Sequence, residues 1–245
     1  MKFSHKIQSI GCSPIRKFAP HAKAAEEAGK TVYYLNIGQP DIETPAEYFD
    51  AIQSFPSPVL EYAPSQGESS LINALRNYYE AMGVLLCPED ITVTTGGSEA
   101  LQLVLSCILD EGDEVIVPEP FYPNYTAFTA MAGGRIVPFP TRAEEGFRVH
   151  DVSALSALIT ERTKALLLSN PGNPTGAVLT REEMGALANL AKQKGLFLIA
   201  DEVYREFVFN GQDPVSFLEL PGLDQELVVI DSVSKRCLLY TSRCV

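Results

Sequence analysis

The stretch KALLLSNPGNPTGAVLTREEMGALANLAKQKGLFLIADEVY, Lys164–Tyr204, decides the fold. It opens on "KALLLS" (164–169), apolar on successive residues rather than on alternate ones. Strands buried on both faces have that pattern, and they belong to parallel sheets covered by helices. A loop of turn-forming residues follows, Asn170-Pro171-Gly172-Asn173-Pro174-Thr175-Gly176. "TREEMGALANLAKQKG" (180–195) then carries the marks of a helix. Thr180, with Glu183 three residues on, makes a capping box, and Gly195 closes the other end. "LFLIAD" (196–201) is the next strand. Strand, helix, strand is the repeating unit of an α/β domain.

Outward from this unit the pattern recurs. "DITVTT" (90–95), "DEVIVP" (113–118), "GRIVPF" (134–139) and "ELVVIDS" (226–232) read as further strands. "SSLINALRNYYEAMG" (69–83) and "SEALQLVLSCIL" (98–109) read as helices, the second with Ser98 as its N-cap. The expected fold class is α/β, a mostly parallel, doubly wound sheet with helices on both faces. The first 40 residues are mixed, with a helix over 19–29, then "TVYYLNIG" and "QPD". They read as an arm or part of a second, smaller unit.

Composition bounds the function. The chain has 245 residues, 46% hydrophobic and 20% charged, enough apolar mass for a core. Its net charge of −12, with no basic run, argues against a nucleic-acid surface and is read as solubility. The 5 cysteines, an odd number with none in C-x-x-C spacing, make a disulfide framework or zinc site unexpected. A reducing, cytoplasmic setting is expected. "SIGCS" around Cys12 follows "MKFSHKIQ", which has no apolar core of a signal peptide. No apolar run has the length of a membrane span.

In an open parallel sheet the carboxyl ends of the strands share one edge, and ligands bind there. "ITVTT" is followed by Gly96-Gly97-Ser98-Glu99, and "KALLLS" by the Asn170–Gly176 loop. "LFLIA" runs into Asp201-Glu202-Val203-Tyr204, and "LVVI" into Asp231-Ser232-Val233-Ser234-Lys235. "DEVIVP" adds Glu119-Pro120-Phe121-Tyr122. Each piece alone has a plain structural reading. Gly-Gly-Ser serves as a strand-to-helix turn, "NPGNPTG" as a loop, Asp201 as a cap, the tyrosines as packing and Lys235 as surface. Their conjunction suggests more. A helix N-terminus with Gly-Gly-Ser suits a phosphate. G-x-G-x-x-G and G-K-[ST] are absent, so neither a dinucleotide nor a nucleoside triphosphate is favoured. A lysine, an aspartate, an amide, a phenol and an aromatic face are equipment for a phosphorylated aromatic aldehyde held as a Schiff base.

"SNPGNPTGAVLT", "ADEVYREF" and "DSVSKR", in this order, resemble the class I/II aminotransferases that use pyridoxal 5′-phosphate (PLP). "LNIGQPDIETP", "EYAPSQGESSLINAL" and "VTTGGSEAL" resemble the same family, so the likeness covers about residues 12–236. It implies amino-group transfer from an L-amino acid to a 2-oxo acid. A carbon–sulfur β-lyase of the same family, or an inactive truncated fragment, is the alternative. It implies a Schiff base at Lys235, the one lysine of nine that follows a strand's carboxyl end. It also implies that Asp201 pairs with the pyridine nitrogen, and that Asn173 and Tyr204 bond the ring's 3-oxygen. Lys235, Asp201 and Tyr204 form the implied catalytic set. Tyr122 would stack on the ring. Gly97 and Ser98, helped by Ser232, would hold the phosphate. Glu99 is counted with this turn, although a carboxylate is an awkward neighbour for a phosphate and suits the helix dipole facing away. Tyr62 would reach the phosphate of a neighbouring subunit in a homodimer. Gly38, with Asn173, would lie against the substrate. No metal, nucleic acid or membrane enters the implied chemistry.

The resemblance places residues 41–236 in a partial PLP-binding large domain and residues 1–40 in an N-terminal arm and part of a small domain. Residues 237–245 depart from the family pattern and are read as an artefactual tail. Arg243 has the spacing of a family arginine, but its surroundings do not fit. The family's C-terminal portion supplies a carboxylate-binding arginine and one antiparallel strand between the first and sixth strands. The chain is therefore expected to be a C-terminally truncated copy, inactive as it stands and open-edged along "DITVTT" and "ELVVIDS".

Overall fold

Continuous apolar runs become parallel strands in a computed structural model that describes residues 2–11, 16–35, 42–209, 211 and 213–237. The helices, in chain order, are α1 (His5–Ser9), α2 (Ala19–Glu27), α3 (Ala46–Gln53), α4 (Ser69–Glu80), α5 (Gly97–Ile108), α6 (Asn124–Met131), α7 (Val152–Ser156), α8 (Arg181–Lys194) and α9 (Val233–Arg236). The strands are β1 (Glu114–Glu119), β2 (Arg135–Pro140), β3 (Thr163–Ser169), β4 (Phe197–Asp201) and β5 (Leu227–Ile230). Their order in the sheet is β2-β1-β3-β4-β5, and every pairing is parallel. No described helix is long and apolar enough to cross a membrane.

The sheet is apolar on both faces because helices cover both. Val115, Val117, Ala165, Leu167 and Ile199 pack toward Leu101 and Leu105 of α5 and Tyr125 of α6. The alternate residues Ile116, Leu166, Leu168, Leu198 and Ala200 pack toward Met184, Leu187 and Ala191 of α8 and Leu155 of α7. Residues 165–168 of β3 are all buried, which is why the run shows no alternation in sequence. The doubly wound reading is therefore correct.

The ends of α8 are those the sequence implies. Thr180 Oγ1 accepts from the Glu183 N–H at 3.2 Å, and Glu183 Oε2 accepts from the Thr180 N–H at 2.8 Å. Gly195 closes the helix at φ 65°, a left-handed conformation that glycine adopts without penalty. Arg148 adds a two-pronged contact to the same Glu183, at 2.9 and 2.6 Å.

Three expectations are corrected. "DITVTT" is not a strand among the described residues. A strand exists only as part of a ladder, and this segment's bonds go elsewhere. The Val93 N–H donates to Gln66 O at 2.8 Å, and the Gln66 side-chain amide donates to Ile91 O at 2.8 Å. Ser98 is not the N-cap of α5. Gly96 caps it at φ 132°, a conformation open to glycine and strained for other residues, and Ser98 lies inside the first turn. "ELVVIDS" is paired only over Leu227–Ile230, because Asp231 turns the chain by accepting the Ser232 N–H on its own Oδ1 at 2.6 Å.

Candidate functional site

All the strands are parallel, so their carboxyl ends meet on one edge, with a topological switch where β2 and β3 flank β1. A cavity of about 340 Å³ opens at this edge, within the size range of small-molecule sites. Its walls include Thr95, Gly96, Gly97, Ser98 and Glu99 at the start of α5, and Tyr122 after β1. Asn173 joins from the loop after β3, Asp201, Val203 and Tyr204 from the end of β4, and Ser232, Ser234 and Lys235 from beyond β5. Residues scattered over 140 positions of sequence meet because each follows a strand or caps a helix on one edge.

Local structure sets each group. The loop after β3 folds on itself, with the Gly176 N–H donating to Gly172 O at 2.7 Å and the Gly172 N–H to Ala177 O at 2.8 Å. Buried Asn170 holds its base by accepting the Leu179 N–H at 3.0 Å, and so presents Asn173. At the start of α5 the Glu99 and Ala100 N–H groups donate to Gly96 O at 3.1 and 3.2 Å, and the helix dipole there favours an anion. Glu99 is turned back: its carboxylate accepts from the Thr95 N–H at 2.5 Å and from Thr95 Oγ1 at 2.6 Å. Those bonds hold its carboxyl below the usual range. Lys235 rides on α9, where Ser232 Oγ accepts the Ser234 N–H at 3.1 Å. The Lys235 amine stands 5.6 Å from the centre of the Tyr204 ring.

Asp201 is the most perturbed carboxyl lining the cavity. It is 5% exposed. Burial pushes its pKa up to about 6, although the Tyr125 hydroxyl donates to Oδ2 at 2.5 Å and the Val203 N–H to Oδ1 at 3.3 Å. These partners are neutral, and the charge that acts on it is the like charge of Asp231. A buried carboxyl with neutral donors is suited to a cation arriving with a ligand.

The sequence-predicted residues Lys235, Asp201, Tyr204, Gly97, Ser98, Glu99, Tyr122, Asn173 and Ser232 all line this one cavity. Tyr62 does not. It stands fully exposed at the surface. Gly38 lies outside the described residues. Sequence reasoning put Gly96, Val203 and Ser234 at this edge without a role, and missed Thr95 and Leu101 on the wall and Tyr125 behind Asp201. The turn into α6, in which the Tyr125 N–H donates to Tyr122 O at 3.0 Å, brings the two rings to 5.5 Å, edge to face.

Residues 30–244 match the family described as aminotransferase class I and II. The chain is 39% identical over 239 residues to an arginine–pyruvate transaminase of Pseudomonas aeruginosa, covering 96% of this chain and 60% of that protein. It is 32% identical over 238 residues to an aspartate aminotransferase of Bacillus subtilis, with the same coverage. The solved structure of an aspartate aminotransferase from Rhizobium meliloti superposes with a TM-score of 0.90 at 30% identity, covering 98% of this chain and 60% of that one. The chain thus spans about 60% of the length of the curated relatives it matches. With that match lying over the same strand-end residues that build the cavity, the chain belongs to the class I and II aminotransferases.

Proposed function

We propose that this chain is the cofactor-binding part of a PLP-dependent aminotransferase that moves an amino group from an L-amino acid to a 2-oxo acid. The observation that carries the proposal is the pairing, in one cavity, of buried Asp201 with Lys235 at neighbouring strand ends. The residues fit the cofactor. The Asp201 carboxyl, pushed up to about 6 by burial, would suit a protonated ring nitrogen. Bound PLP supplies an electron-withdrawing ring and an aldehyde carbon.

The chain's own groups divide the remaining work. Lys235 would hold the cofactor covalently through Nζ, with loss of water, and its amine would serve as the proton carrier once free. Asp201 would keep the ring nitrogen protonated, Asn173 and Tyr204 would hydrogen-bond the ring oxygen, Tyr122 would cover the ring, and Gly97, Ser98 and Ser232 would hold the phosphate at the start of α5. In this reading the protein is a homodimer, Tyr62 reaches the neighbouring subunit's phosphate, and Gly38 lies against the substrate carboxylate. The transaminase and aminotransferase names of the relatives support transfer over elimination.

The test separates the half-reactions. Full-length protein loaded with PLP, given one L-amino acid, is expected to release one equivalent of the matching 2-oxo acid and to shift its cofactor absorbance. A different 2-oxo acid should then reverse the shift. Release of ammonia in place of a reversible shift would contradict transfer.

A further inference from the structure

Behind the cavity wall, one buried cation joins the two strand ends that carry Asp201 and Lys235. Arg205, 1% exposed, follows β4. Its Nη1 donates to Glu202 Oε2 at 2.7 Å and to the Tyr79 hydroxyl at 3.2 Å. Its Nη2 donates to Asp231 Oδ2 at 3.0 Å and to the Tyr78 hydroxyl at 3.1 Å. Glu202, the residue after Asp201, is fully buried and also accepts from Ser216 Oγ at 2.7 Å and the Phe217 N–H at 2.8 Å.

Asp231 is the other pole. Its Oδ2 accepts from Arg205 and from the Tyr79 hydroxyl at 2.9 Å. Its Oδ1 accepts from the Ser232 N–H and from Arg236 Nη1, both at 2.6 Å. One carboxylate therefore grips residues 232 and 236, on either side of Lys235. Burial works to raise the Asp231 carboxyl, but the Arg236 and Arg205 guanidiniums outweigh it and hold it below the usual range. Such clamping matters here because α9 is 4 residues long, and a single turn has no helical stability of its own. Buried ion networks add little net stability over an apolar filling, so this one calls for a different role.

We propose that Arg205 is a positioning residue: through Asp231 it fixes the turn that presents Lys235, and through Glu202 it keeps that turn in register with Asp201. The inference rests on the proposed role of Lys235 and adds the device that aims it. A lysine amine ends a flexible four-carbon stem, so its reach is set by where the stem is rooted.

The test uses two variants of the full-length protein. Glu202→Gln with Arg205→Met removes the buried pair as a unit and leaves Asp231 its bonds to Tyr79, Arg236 and the Ser232 N–H. Tyr79→Phe keeps every charge and removes one donor from Asp231. Three quantities are read: kcat against KM, the pH midpoint of the cofactor's absorbance change, and the acylation rate of Lys235 in cofactor-free protein. The double variant is expected to lose about 100-fold in kcat, the scale of an ångström-sized misplacement, while KM changes far less. The absorbance midpoint and the Lys235 acylation rate should move as well. Tyr79→Phe should move the same quantities in the same direction by less, and it decides the matter alone if the double variant does not fold. Unchanged kcat, midpoint and acylation rate in folded variants would overturn the proposal. Borohydride labelling of the wild-type protein away from Lys235 would instead overturn the functional reading beneath it, so the two failures are distinct.

Discussion

Asp201→Asn is expected to slow transamination about a thousandfold, equivalent to about 4 kcal/mol of barrier, while making the cofactor-free protein more stable. The kinetic loss follows because a neutral amide cannot hold a pyridinium charge as a carboxylate does. The stability gain follows from the same burial. The Asp201 pKa is raised from 3.8 to about 6. A raised acid contributes stability that is fully present below its unfolded pKa and lost as pH rises through its folded value. In the cofactor-free protein, ionised Asp201 therefore costs up to about 3 kcal/mol above pH 6, at 1.36 kcal/mol per pH unit. Asparagine is neutral throughout, and it keeps an oxygen to accept the Val203 N–H while its amide nitrogen can donate to the Tyr125 hydroxyl oxygen. Urea unfolding of cofactor-free wild type and variant at pH 4 and pH 7.5 checks this. The variant's advantage should appear at the higher pH and shrink at the lower. A variant less stable at pH 7.5, or one with wild-type turnover, would contradict the assigned role.

Lys235→Ala is expected to cut turnover by about 10,000-fold or more, since a positioned proton carrier alone contributes up to about that factor and the covalent attachment is lost with it. The fold should survive. The turn that carries Lys235 is held by Ser232, Asp231 and Arg236, and alanine is the best helix former. The thermal midpoint of the cofactor-free variant should therefore stay near that of wild type while activity vanishes. Retained turnover would move the chemistry to another amine.

Local pattern carried much of this into the sequence. β3 and β4 were legible because both faces are covered and both residues of each alternating pair are apolar. The ends of α8 were legible because Thr180, Glu183 and Gly195 act within the helix itself. "DITVTT" has strand-like residues, but pairing is a property of two segments, and Val93 is bonded to Gln66 instead. The cap at Ser98 was misplaced because Gly96, two residues earlier, takes a backbone angle that a serine does not favour. The cavity residues were legible once the strands were taken as parallel, since topology alone puts their carboxyl ends together. Tyr79, Tyr125 and Arg205 were not. Their meaning comes from partners on other elements: Tyr79 on α4 meets Asp231 after β5, and Tyr125 on α6 meets Asp201. No spacing in the chain announces such contacts.

Lys235 is the amine proposed to bind the cofactor. PLP-loaded full-length protein, reduced with borohydride and digested, reports this directly. A single pyridoxyl group on Lys235, in the peptide containing Asp231 to Arg236, is the expected result. A pyridoxyl group on Lys164, at the opposite edge of the sheet, or on any other lysine would contradict it.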